Sequence, residues 1–157
     1  MNAVVYDPSD STIIVSGRTQ AVVKLDAANR VVWILGAHKG WGTSGDGTPL
    51  GPFLLKPLDA TGQPITDALV INGDVNHPDF EWSWYQHAPL VMANGDIMLF
   101  DNGGTNRTFS GRGQYSRAVQ YRIDAKAKTV RQVWTYGKER GPSTFSAIVS
   151  DVDVLIG

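Results

Sequence analysis

The stretch "AVVKLDAANRVVWILG" (residues 21–36) returns later in the chain as "AVQYRIDAKAKTVRQVWTYG" (118–137). Both copies run through strand-like residues, an Asp, a short polar turn, a second strand, a Trp and a closing Gly. Short runs rich in β-branched and aromatic residues favour a pleated, half-buried strand, and the polar break favours a turn. A further strand pair precedes each copy. "NAVVY" (2–6) and "TIIVSG" (12–17) flank "DPSD", while "QHAPLVM" (86–92) and "DIMLFD" (96–101) flank Ala93-Asn94-Gly95. Asn-Gly is the strongest short hairpin signal. Each repeat therefore reads as four short antiparallel strands closing on a Trp, the pattern of a β-propeller blade.

A third copy is predicted to start at "STFSAIVSDVDVLIG" (143–157). The expected fold is all-β: a partial β-propeller over 1–157, with two blades and the start of a third. A loop-rich insertion, dense in Gly and Pro, is expected between the repeats at 37–80. A β-sandwich of two similar halves is the competing arrangement. A closed propeller needs at least four blades of ~40–45 residues, so the chain is expected to be a piece of a longer protein.

Composition narrows the function classes. The net charge is −1 and Lys and Arg are scattered, which argues against nucleic acid or an anionic membrane surface as a partner. The absence of cysteine excludes disulfides, thiolate nucleophiles and Cys-based metal sites. No apolar run approaches the ~20 residues of a membrane helix. Met1 runs straight into a strand pattern without a basic head or apolar core, which by itself predicts a cytosolic protein or a segment of a longer one.

A two-residue Asn94-Gly95 turn would put Ala93 opposite Asp96 and His87 opposite Asn102, at the open end of that hairpin. In the first hairpin, Asn2 would face residues 15 to 17, next to Arg18. Asn2 thus takes the place in one repeat that His87 holds in the next. If the blades share an axis, an imidazole, a guanidinium and an amide converge at one rim. That set suits a small anionic group. Arg offers a planar fork of donors matching the oxygens of a sulfate, phosphate or carboxylate. An imidazole with an ordinary pKa of ~6.5 is mostly neutral at pH 7 and can attack an electrophile. Trp82, Trp84 and Tyr85 would form a wall for a flat ring.

At these residues the sequence resembles the bacterial arylsulfate sulfotransferases that work without a nucleotide sulfate donor. The resemblance runs through "NAVVYDPSDSTIIVSGR…VVKLD…VVWILG", "DFEWSWYQHAPL…FDNGG…R" and "YSRAVQYRID…VRQVWTYGKERG". It implies a six-bladed propeller with a separate N-terminal β-domain, and a periplasmic enzyme with no cofactor or metal. Its partners would be an aryl sulfate donor and a phenolic acceptor, and a homo-oligomer is compatible with it. It also implies transfer of a sulfuryl group through a sulfohistidine, with His87 of "WYQH" as catalytic nucleophile. Arg18 of "VSGR" would bind the sulfate, and Asn2 would match the Asn of the family's His-x-Asn motif. The histidine of that motif would precede Met1, as would another active-site histidine, so the site within this chain is expected to be incomplete. The alternative is a non-catalytic propeller-like binding or scaffold module.

Other features read as structural. His38 and His77 lie in Gly/Pro-rich loops, are expected to be solvated, and lack metal-ligand spacing. Trp33 and Trp134 end matching strands and are expected to pack between blades. Arg117 is left without a role. "GTSGDGTPLG" has neither the Lys nor the following helix of a phosphate loop, and "NRT" at 106–108 matches a glycosylation acceptor.

Overall fold

The computed structural model describes residues 1–104 and 114–154. Strands β1 (Ala3–Asp7), β2 (Thr12–Ser16), β3 (Val22–Leu25) and β4 (Val31–Leu35) form one antiparallel sheet in chain order. After a short connecting strand β5 (Lys56–Leu58) and a one-turn helix α1 (Ala68–Ile71), a second antiparallel meander follows. It comprises β6 (His87–Val91), β7 (Ile97–Asp101), β8 (Arg117–Asp124) and β9 (Thr129–Tyr136). The all-β expectation holds, with two antiparallel meanders and little helix. β5 adds in parallel to the outer edge of β9, pairing Lys56 with Thr129 and Leu58 with Arg131. The third repeat forms no strand over its described residues: 143–144 end a 3-10 helix and 145–154 are irregular, while 155–157 and the "NRT" site lie outside the described residues.

Alternation places the core. Thr12, Ile14 and Ser16 of β2 are buried while Ile13 and Val15 are half-buried; Arg117, Val119 and Tyr121 do the same on β8. Ile14, Val22, Trp33 and Leu35 of the first sheet meet Ile97, Leu99, Val119 and Tyr121 of the second in one core. Leu55, Ile65 and Val70 of the connecting segment complete it. Each such side chain contributes about 1.5–3 kcal/mol on burial. The Asp that recurs in both repeats shapes the turn. Asp26 Oδ1 accepts from the backbone N–H groups of Ala28 and Arg30, and Asp124 Oδ1 from those of Lys126 and Ala127.

The first hairpin has the expected register, Ala3 facing Ser16 and the Asn2 N–H bonding to Ser16 O at 2.8 Å. The second departs from it. Met92 pairs with Asp96 around a three-residue Ala93-Asn94-Gly95 turn, with Gly95 in the left-handed region at φ 81°. A bulge between His87 and Leu90 then shifts the ladder, so His87 pairs with Phe100 rather than Asn102. Pro89 lies inside that bulge. It has no N–H to give the ladder, and β6 is an edge strand, where such a defect is tolerated. The two Trp also differ. Trp33 is buried, but Trp134 pairs with Gln120 on the other face, is 45% exposed and stacks on Tyr136.

A buried ionic group underlies the second sheet. Arg117 donates from Nε to Asp101 Oδ2 at 2.8 Å and from Nη1 to Gln132 Oε1 at 2.9 Å. Its Nη2 reaches the Glu81 carbonyl at 3.0 Å, and the Glu81 carboxylate, bound by Tyr115 and Lys138, lies beside it. Removing one member of such a set strands the others' charges in the interior, which costs about 3–5 kcal/mol. Arg117→Met is therefore expected to lower urea-unfolding stability by about that amount; a loss below about 1 kcal/mol contradicts the assignment.

Asp96 guards the β6–β7 turn. Burial works against its charge. Hydrogen bonds from Arg122 and Gln120, the charge of Arg122 and the Asn94 amide outweigh that and lower its pKa below 3.8. A carboxylate with a depressed folded pKa stabilises above its unfolded value and ceases to do so as pH falls through the folded one. The stability gap between the wild type and Asp96→Asn should be widest near pH 7 and close below about pH 4. Urea titrations at several pH values would measure it, and a gap independent of pH contradicts the account.

Candidate functional site

The segment Glu81–His87 crosses from the core to the junction of the sheets, and Asp101 fixes its course. Asp101 Oδ1 accepts from the backbone N–H groups of Trp84 and Gly103, both at 3.0 Å, while Oδ2 holds Arg117. The Gly103 N–H also bonds to Trp84 O at 2.9 Å. Beyond this clamp the backbone enters the left-handed region twice, at Tyr85 (φ 54°) and Ala88 (φ 46°), on either side of His87. Such a conformation costs a non-Gly residue of order 1–3 kcal/mol and persists only when the surroundings enforce it. Gly104 is part of the enforcement: a Cβ there would lie 2.3 Å from Tyr85 Cδ2, so only glycine admits the ring.

Gln86, 1% exposed, joins the two sheets. Its Nε2 donates to Gly17 O at 2.8 Å, while its own carbonyl accepts from Ser16 Oγ at 2.9 Å and Asn2 Nδ2 at 3.1 Å. The first sheet therefore grips this residue from the end of β2 and from the start of β1. One amide hydrogen of Asn2 is committed to this contact; among the described residues the second has no acceptor.

His87 is half-buried at the start of β6. Its Nδ1 lies 3.0 Å from Tyr85 O and 2.7 Å from Asn102 Oδ1. The orientation of the Asn102 amide follows from its other end, where Nδ2 donates to Ser146 O at 2.7 Å; a carbonyl accepts only. Two oxygen acceptors on one ring nitrogen require Nδ1 to carry the proton, so in the neutral ring Nε2 presents its lone pair. Arg18 is exposed, with its guanidinium 5.6 Å above the centre of the Tyr85 ring. Among the described residues it has no carboxylate partner, so its donors are available.

Asn2, Arg18 and His87 thus gather on three consecutive residues, through Gln86 O, the Tyr85 ring and His87 itself. The aromatic wall does not form as expected. Trp82 is 2% exposed, stands edge-on to Phe80 and donates to Val70 O, because its indole completes the core. Trp84 is half-buried against Gly73, where a Cβ would come within 2.8 Å of its ring, so that of the three expected rings Tyr85 is the one beside Arg18 and His87. His38 is not simply solvated, since its Nε2 meets Leu55 O at 2.9 Å; His77 Nδ1 accepts the Asp79 N–H. Among the described residues no group of three or more His, Asp or Glu is arranged to hold a metal. Sequence reasoning missed Gln86, Ser146 and the burial of Arg117. The last was signalled by its phase with Val119 and Tyr121, two and four residues on.

The sequence profile described as Arylsulfotransferase (ASST) matches residues 1–157. The chain belongs to the arylsulfotransferase family. Within that family it is 41% identical over 156 residues to an arylsulfate sulfotransferase AssT of Escherichia coli O6:H1. It is 38% identical to the protein of the same name from Lelliottia amnigena. Each match takes in 98% of this chain but 25% of the relative, so the chain spans about a quarter of the length of these arylsulfotransferases.

Proposed function

We propose that this chain carries the nucleophilic part of a site that moves a sulfuryl group from an aryl sulfate to a phenol. The observation that carries the reading is the state of His87: Nδ1 is held by two acceptors, and among the described residues no partner meets Nε2, which leaves it to attack. In the first half-reaction Nε2 forms a bond to sulfur as the ester S–O bond breaks and the aryl oxide leaves. The ring then bears Nδ1–H and an Nε2-bound sulfuryl group. In the second half-reaction a phenol oxygen displaces Nε2, the phenol proton goes to solvent or to a base, and neutral His87 is restored. A phenol has a pKa of ~10 like tyrosine, so it leaves with modest help.

Arg18 and the spare Asn2 hydrogen would bind the sulfuryl oxygens, over which negative charge spreads in the transition state. Positioning and electrostatic stabilisation dominate this kind of transfer. The covalent intermediate predicts ping-pong kinetics.

The same reading makes the two meanders adjacent blades of a larger propeller, with 37–80 as an insertion between them. Two features support this. Val4 and Tyr6 on β1, and Trp134 and Tyr136 on β9, leave apolar surface 45–59% exposed, on which further blades would pack. The family relatives are about four times as long.

The test is mass spectrometry of the protein carrying this chain after incubation with an aryl sulfate. An acid-labile adduct of one sulfuryl group is expected on His87, and none in His87→Ala. Arg18→Lys should lower kcat/KM by about 10²–10³-fold, since an ammonium cannot reproduce the fork of donors. Turnover retained in His87→Ala would point instead to another nucleophile, and a wild type that neither turns over nor acquires the adduct would point to a binding or scaffold module.

A further inference from the structure

Asn102 is 0% exposed, and both ends of its side-chain amide are engaged. Oδ1 meets His87 Nδ1 at 2.7 Å and Nδ2 meets Ser146 O at 2.7 Å. Ser146 is itself held in place from the residue that precedes β8: the Ser146 N–H donates to Ser116 Oγ at 2.8 Å. That hydroxyl lies 2.9 Å from Asn102 O and 3.2 Å from Ser146 O. The segment after β9 is thereby clasped to the end of β7, and its carbonyl decides which way the Asn102 amide points.

We infer that Asn102, oriented by the Ser116–Ser146 clasp, is a positioning residue that holds His87 as the Nδ1–H tautomer. It touches neither sulfur nor the leaving oxygen, and acts through the imidazole alone. Were the amide reversed, its NH2 would face Nδ1, the proton would move to Nε2, and the attacking lone pair would be lost. A neutral oxygen also suits both half-reactions. When Nε2 bonds to sulfur the ring becomes cationic, and hydrogen bonds from a charged donor to Oδ1 and Tyr85 O strengthen. A carboxylate in the same place would favour the protonated imidazolium beforehand and occupy Nε2 with a proton at neutral pH. An amide avoids that. This role rests on the proposed attack by His87, but the tautomer is a property of the resting protein.

The test uses the protein carrying this chain, with 15N-labelled histidine and no substrate. His87→Gln assigns the His87 signals by their loss. Long-range 1H–15N spectra above the titration of His87 are expected to show a protonated Nδ1 and a bare Nε2. Asn102→Leu should populate the Nε2–H form, and Asn102→Asp should raise the pH at which His87 titrates. A merely structural residue would move neither signal. Dominant Nε2–H in the wild type overturns the inference, whether or not the variants fold; so do variants whose His87 signals match the wild type. A bare Nε2 that never acquires a sulfuryl group would instead overturn the proposed transfer and leave the role of Asn102 standing.

Discussion

The site depends on one joint. Gln86 reaches into the first sheet with its side chain and receives two donors from that sheet on its carbonyl, so its neighbours on either side cannot move independently. Tyr85 offers its ring to Arg18 and its carbonyl to His87, while His87 begins the next strand. Buried hydrogen bonds such as these are costly to leave unmade, which makes the joint specific as well as cohesive. Two hairpins distant in sequence thus deliver an amide, a guanidinium and an imidazole to one short segment.

The joint needs a rigid partner, and the second sheet supplies it through charge as well as apolar packing. Asp101 divides its two oxygens between the fully buried Arg117 and the backbone of Trp84 and Gly103. The ionic set beneath the sheet and the left-handed turn at Tyr85 are therefore coupled through one carboxylate. Backbone strain on both sides of His87 is sustained by these contacts, by the glycine under the Tyr85 ring, and by the bulge around Pro89. Strain of this kind concentrates where a side chain must be aimed rather than merely packed.

Much of this could be read from the sequence, and the failures have physical causes. Alternation and turn residues are local signals, so the strands, their antiparallel order and the repeat were legible. The meeting of Asn2, Arg18 and His87 followed from equating hairpin ends across the repeat. His87 does reach Asn102, but through its side chain. A three-residue turn and a proline bulge had shifted the backbone pairing to Phe100, and neither declares itself in the bare Asn-Gly signal. The fate of Trp82 was set by which face met the core, which only the register of long-range pairing decides. The pairing of β5 with β9 and the grip of Ser146 on Asn102 join residues far apart in the chain without any pattern in either segment.

The central claim is that the Nε2 face of His87 and the guanidinium of Arg18 border one pocket for a tetrahedral sulfur group. A crystal structure of the protein with a bound aryl sulfonate, an unreactive mimic of the donor, tests it most directly. The account predicts sulfonate oxygens on Arg18 and the sulfur about 3–3.5 Å from His87 Nε2, in line for attack. A sulfonate bound elsewhere, or an imidazole turned so that Nε2 points to bulk solvent, would contradict it.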